Sequence, residues 1–78
     1  MKYGKVVSNP TIKRLPIYYR YLSTLLDYGI NRISSKDLAR KMGITDSQVR
    51  QDFFQLGSTG QKGYGYEVKL LHDEMHRI

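Results

Sequence analysis

The feature that most restricts how this chain can fold is a spacing: two short amphipathic segments are separated only by Gly43, Ile44 and Thr45. In the first, Leu38, Ala39 and Met42 share one helical face, while Lys36, Arg40 and Lys41 lie on the other. Ser34 or Ser35 supplies an N-cap, Asp37 sits favourably in the first turn, and Gly43 terminates the helix. In the second, Val49, Phe53 and Leu56 recur at i, i+4 and i+7, a narrow apolar stripe, and Gly57 supplies the stop. Thr45 can cap the backbone N–H of Gln48 while Gln48 reaches back to Thr45, and Ile44 can pack on Val49, so a capping box coincides with a hydrophobic staple. Two short amphipathic helices joined by a three-residue turn containing glycine form the helix-turn-helix pattern.

The face opposite the apolar stripe of the second helix carries Ser47, Gln51, Phe54 and Gln55, flanked by Gln48 and Arg50. These groups can read base edges. Arg50 can fork onto guanine O6 and N7, Gln51 or Gln48 can pair with adenine N6 and N7, and Ser47 can reach a base or a phosphate. An ordinary solvated helix exposes the same residue types, so the neighbourhood has to decide. Asp52 lies near the buried side and is assigned to structure, pairing with a nearby arginine.

Charge supplies that neighbourhood. The 78 residues carry a net +6 at neutral pH, which suits a polyanionic partner. Ten of the thirteen Lys and Arg precede Gly57, against four of the seven Asp and Glu, so the basic field belongs to the first three helices. Lys13, Arg14, Lys36, Arg40 and Lys41 are expected to hold phosphates, giving salt dependence without sequence choice. The chain has no cysteine, which removes disulfides and Cys-based zinc sites and suits a reducing cytoplasmic setting. No apolar run approaches the ~20 residues of a membrane span, and the N-terminus lacks the apolar core of a signal peptide.

Before the helix-turn-helix, residues 1–9 show no periodicity and read as a flexible arm. Ile12, Leu15, Tyr19, Leu22 and Leu26 then step by three and four as one buried stripe, widened by Tyr18 and Leu25. Ser8 and Asn9 are capping types, Pro10 fits the first helical position, Pro16 should kink or restart the helix, and Gly29 should end it. Ile33 can pair as a strand of one or two residues. After Gly57 the sequence GSTGQKGYGY reads as a β-hairpin wing, with residues 60–63 at the tip and Tyr64 to Tyr66 in the return strand. Its glycines allow close approach to a ligand, and Lys62 can enter a narrow minor groove beside Gln61, Gly63 and Tyr64. Neither a dinucleotide nor a Walker-type phosphate fingerprint fits this stretch. A last helix starts near Glu67, with Val68, Leu71, Met75 and Ile78 facing inward. His72 and His76 have the spacing of a zinc helix, but Asp73 occupies the slot of the catalytic glutamate and no further ligand is evident, so no metal is assigned.

The strings IKRLPIYYRYL, RISSKDLARKMG, DSQVRQDF and GQKGYGYEV, in that order, closely resemble the N-terminal domain of the Rex family, bacterial redox-sensing transcriptional repressors. The resemblance covers about residues 8–72. It implies a mainly α winged helix-turn-helix of four helices plus a small β-hairpin wing. The helix after the turn enters the major groove and the wing touches the minor groove of an A·T-rich, pseudo-palindromic double-stranded operator. It places the family's arginine-leucine-proline segment at Arg14, Leu15 and Pro16 and its recognition-helix arginine at Arg50. Many members carry a basic residue where this chain has Gln51, and an aromatic residue where it has Leu56 and Thr59. In the family a C-terminal Rossmann domain binds NADH or NAD and builds the homodimer. No such glycine fingerprint occurs in residues 1–78, so no cofactor site is expected in this chain and NAD sensing is expected outside it. The rival reading is a winged-helix protein-interaction module that docks a partner through Phe54 and exposed tyrosines.

Overall fold

The computed structural model describes residues 7–57 and 65–76. Its first helix, α1 (Asn9–Asp27), buries Thr11, Leu15, Tyr18, Leu22 and Leu25. That face is the expected stripe shifted toward its Tyr18 and Leu25 edge, by roughly 35° at 100° per residue. Ile12 is 47% exposed, and Tyr19 and Leu26 are only half-buried. Tyr18 and Leu25 are inside as expected, and Thr11 joins Tyr18 as a second hydroxyl among apolar neighbours. The helix runs through Pro16 without a restart. Pro16, like Ile12 four residues earlier, is on the exposed side, so the carbonyl that loses its N–H partner is on the wet face of the helix. Ser8 is the N-cap and Pro10 stands one position later than expected. At the other end Gly29, at φ 75°, closes a Schellman turn in which its N–H reaches the Leu26 carbonyl and that of Ile30 the Leu25 carbonyl.

Residues 7–9, expected as part of a flexible arm, belong to the fold: Val7 is buried in the core, Ser8 occupies the N-cap position of α1 and Asn9 is already helical. The Ser8 N–H donates to the Gln55 side-chain oxygen at 2.7 Å, a tie across the chain that a single-sequence pattern does not carry. Residues 1–6 lie outside the described ones.

After α1 come β1 (Arg32–Ile33), α2 (Ser35–Met42), α3 (Asp46–Gln55), β2 (Tyr66–Glu67) and α4 (Val68–His76). Ser34 caps α2 by accepting the Asp37 N–H, and Gly43 in the left-handed region closes it. Thr45 caps α3 by accepting the Gln48 N–H at 3.1 Å. The Gln48 side chain, expected to reach back to Thr45 and complete a capping box, turns its amide nitrogen inward to donate to Asp52 at 2.9 Å. The return strand of the wing pairs antiparallel with β1, Arg32 opposite Glu67 and Ile33 opposite Tyr66, and the helix-turn-helix is held between the two strands in sequence. Glu67 belongs to that strand and α4 begins at Val68. Gly65 marks where the wing returns. Its φ is +71°, and a Cβ there would stand 2.5 Å from the Ile33 carbonyl oxygen, so any other side chain would push β1 away. The expected hairpin tip, residues 60–63, lies outside the described residues.

The core is centred on Phe53. Its ring meets Tyr18 of α1 at 4.9 Å and the edge of Tyr66 of β2 at 4.8 Å, so one side chain of α3 touches the long helix and the sheet together. Burial of such a ring contributes about 1.5–3 kcal/mol, and well-oriented aromatic pairs add about 0.5–1.5 kcal/mol each. Leu22, Leu38, Val49, Leu56, Val68 and Leu71 complete the layer, with α4 packed along α1 and α2 along α3. Among the described residues no helix is long and apolar enough to cross a membrane.

Candidate nucleic-acid interface

The position of α3 is set from beneath by Asp52. Its side chain is fully buried, and its two oxygens accept five hydrogen bonds. Arg14 donates through Nε at 2.6 Å and Nη2 at 2.8 Å, Thr11 through its hydroxyl at 2.8 Å, and Tyr18 through its phenol at 2.5 Å. Gln48 adds its amide at 2.9 Å from within α3. Four of the five donors are on α1, so this carboxylate fixes both the rotation and the height of α3 against the long helix. Burial alone pushes the Asp52 carboxyl up, but the bonds from Arg14, Tyr18, Thr11 and Gln48 outweigh it and hold the group below the ordinary carboxylate range. Burial and the bond to Asp52 push the Tyr18 phenol far up, so it remains a proton donor. The bond to Asp52 likewise raises Arg14 further.

The pairing expected for Asp52 is therefore present, and its partner is Arg14. The same bond changes the reading of Arg14, which was expected on the DNA backbone. Two of its nitrogens are committed to a buried carboxylate, and only about a fifth of its side chain is exposed. Gln48, expected to read bases, is half-buried and has its amide in the same cluster. Thr11 and Tyr18 were missed as functional residues. Thr11, Arg14 and Tyr18 recur at i, i+3 and i+7, which places three polar groups on one face of an amphipathic helix, and that spacing was the available signal.

On the outer side of α3, Ser47, Arg50 and Gln51 are exposed together, as their spacing requires. Arg50 Nη1 donates to Asp46 Oδ2 at 2.8 Å. Phe54, 53% exposed, lies on this side as expected. Of the expected phosphate ligands, Lys13 on α1 and Lys36, Arg40 and Lys41 on α2 are exposed, with Arg40 in a long 3.3 Å contact to Asp37. Gln61, Lys62, Gly63 and Tyr64 lie outside the described residues.

The two histidines of α4 are turned to other work. His72 stacks on the Tyr19 ring at 4.4 Å and meets the Ser23 hydroxyl, while His76 faces the Tyr19 hydroxyl at 3.2 Å. Asp73 is held below the ordinary range chiefly by the bond from Lys69, then by that with His72. Among the described residues no group of three or more His, Asp or Glu is placed to hold a metal ion. The described strand-to-helix junctions, through Ser34 and from Glu67 to Val68, carry no glycine turn of the kind that cradles a dinucleotide phosphate, and those residues do not fit one.

Comparison with known proteins agrees with this geometry. The family described as putative DNA-binding protein N-terminus matches residues 6–53. The redox-sensing transcriptional repressor Rex of Clostridium novyi is 50% identical over all 78 residues, which cover 37% of that protein. Rex of Clostridium tetani is 54% identical over 72 residues, 92% of this chain and 34% of the relative. Among solved structures, RSP in complex with β-NAD+ and operator DNA superposes with a TM-score of 0.84 at 47% identity, covering 95% of this chain and 34% of that one. RSP in complex with β-NADH gives 0.79 at 42% identity, covering 95% and 33%. The chain spans about a third of the length of the relatives it matches. The fold thus superposes on RSP over 95% of the chain, and the chain belongs to the putative DNA-binding protein N-terminus family, with the winged-helix fold of the Rex DNA-binding domain.

Proposed function

We propose that residues 1–78 form the sequence-specific DNA-binding part of a redox-responsive transcriptional repressor. The observation that carries the reading is the outer side of α3, where Ser47, Arg50 and Gln51 are exposed together on a helix held rigidly by Asp52. In this reading α3 enters the major groove. Arg50 forks onto a guanine, Gln51 pairs with an adenine and Ser47 reaches a base or phosphate. Lys13, Lys36, Arg40 and Lys41 neutralise backbone charge, Arg14 and Gln48 serve as struts, and Gln61, Lys62, Gly63 and Tyr64 form the minor-groove wing. The role is one of binding, not catalysis. Two copies bind an A·T-rich palindrome in the cytoplasm, at the nucleoid. The nicotinamide nucleotide that would switch them is held outside residues 1–78.

The likeness to Rex repressors supports the partner and the switch. Exposure of Phe54 favours a second reading, docking of another protein on the same face. A salt series separates the two. Wild type should prefer A·T-rich palindromic duplexes over scrambled ones at every salt concentration, with log affinity falling by about 0.9 per phosphate contact per decade of salt. Arg50→Ala should lose about 1–3 kcal/mol of that preference. Absence of preference in the wild type, with binding that disappears as salt rises, would leave the protein-docking reading in its place.

A further inference from the structure

We infer that Asp46 is a specificity-determining residue that holds Arg50 in position for base readout and subtracts from indiscriminate attraction to DNA. The inference rests on the reading of α3 as the helix that enters the major groove. Asp46 is the first residue of α3, directly after the Thr45 cap, and Arg50 follows one turn later. Acid before base at i, i+4 is the favoured orientation for a helix pair. The Oδ2 to Nη1 bond is 2.8 Å, and the two side chains are 29% and 55% exposed. Among the described residues the two other helix-surface Asp pairs with Lys or Arg are looser and wetter: Arg40 with Asp37 and Lys69 with Asp73 both stand at 3.3 Å. The tight pair is the one on the helix that carries the candidate readers.

A guanidinium has five N–H donors on three nitrogens, and one fork needs only two of them. With Nη1 on Asp46, the edge formed by Nε and Nη2 keeps its donors for guanine O6 and N7. Asp46 can therefore remain bonded while Arg50 reads. The contact removes rotamers from a long side chain before DNA arrives, and less ordering cost then falls on the specific complex. The same carboxylate places a negative charge at the N-terminal end of the reading helix, where DNA phosphates approach. Non-specific complexes, which rely on charge, are weakened by it, whereas the specific complex recovers the loss through an oriented fork. Asp46 thus widens the gap between right and wrong sequences while lowering total affinity.

The test starts from duplexes enriched by the wild-type chain out of a randomised pool, each compared with a scrambled duplex of the same composition. Asp46→Ala should bind the scrambled duplex more tightly than wild type does. Its ratio of enriched to scrambled affinity should fall by about fivefold, the low end of what one oriented bidentate contact contributes. In an Arg50→Ala background, removing Asp46 should still raise scrambled binding but leave the ratio unchanged, a coupling that a merely structural role for Asp46 would not produce. Circular dichroism establishes that α3 is retained in each variant, with Asp46→Asn as a second probe that keeps the side-chain volume. If wild type enriches a sequence and the ratio survives loss of Asp46, the inference is overturned and the DNA-binding reading stands. An equal fall in ratio in both backgrounds would also overturn it, since Asp46 would then act without Arg50. If wild type enriches nothing, the DNA-readout reading itself fails, and the inference with it.

Discussion

The two sides of α3 each hold one aspartate and one arginine, and solvent makes them opposites. On the inner side Asp52 is fully buried, with Arg14, Tyr18, Thr11 and Gln48 on its two oxygens. On the outer side Asp46 holds Arg50 through a single bond on an open surface. A buried carboxylate costs several kcal/mol to desolvate and persists only because every lone pair is matched, so the inner cluster is costly to disturb and geometrically exact. An exposed pair is worth a fraction of that and can be rearranged by a ligand. The helix is thereby anchored where it meets the protein and only lightly restrained where it would meet a base.

The largest effect that would break this contrast is expected from Asp52→Ala. It strands the Arg14 guanidinium and the Tyr18 phenol together, and removing one partner of a buried pair costs about 3–5 kcal/mol. For a domain marginal by size, that is a large share of total stability. Urea unfolding should show the loss as a fall in midpoint with an unchanged slope. A loss below 1 kcal/mol would mean that the apolar contacts of Phe53, not the carboxylate, hold α3 against α1.

A smaller effect, about 1–2 kcal/mol, is expected from Tyr18→Phe, which leaves the ring packing on Phe53 but removes one donor to Asp52. It also has a signature in pH. Asp52 is held below the unfolded value of about 3.9, so its contribution is complete above that value and is lost as pH falls through the lower folded value. Without the Tyr18 bond the folded value rises toward the unfolded one. Acid unfolding of Tyr18→Phe should then begin at higher pH than in wild type, while the difference in stability is constant at neutral pH. Coincident acid transitions would place the Tyr18 hydroxyl outside the electrostatics of Asp52.

The same contrast explains what the sequence disclosed. The helix-turn-helix was legible because its signals are local: Thr45 caps, Gly43 and Gly57 terminate, and Val49, Phe53 and Leu56 repeat with the helical period. The exposure of Ser47, Arg50 and Gln51 followed from that period alone. The inner cluster depends on contacts 34 to 41 residues apart, and these decide which face of α1 turns inward. Apolar periodicity placed Ile12 inside, whereas the polar requirement of Asp52 selects Thr11 and turns Ile12 out. Gln48 shows the conflict at a single residue. Local rules aimed its side-chain oxygen back at the Thr45 N–H, whereas in the fold its amide nitrogen is turned inward to donate to the buried carboxylate.

The smallest stability effect, and the sharpest test of the outer side, is expected from Arg50→Ala. Its pair with Asp46 is partly solvated and joins residues one turn apart, an arrangement worth about 0.3–0.5 kcal/mol. Thermal unfolding should fall by about 2–4 °C at most for a domain of this size. Raising ionic strength to about 1 M, where the screening length is about 3 Å, should remove most of even that difference. The inner cluster should behave otherwise under the same salt, since water and ions do not reach Asp52. A drop of 2 kcal/mol for Arg50→Ala, insensitive to salt, would make Arg50 a structural residue like Arg14. Arg50 would then be spent on the fold instead of being held ready for a base, and the two aspartates would be performing one task.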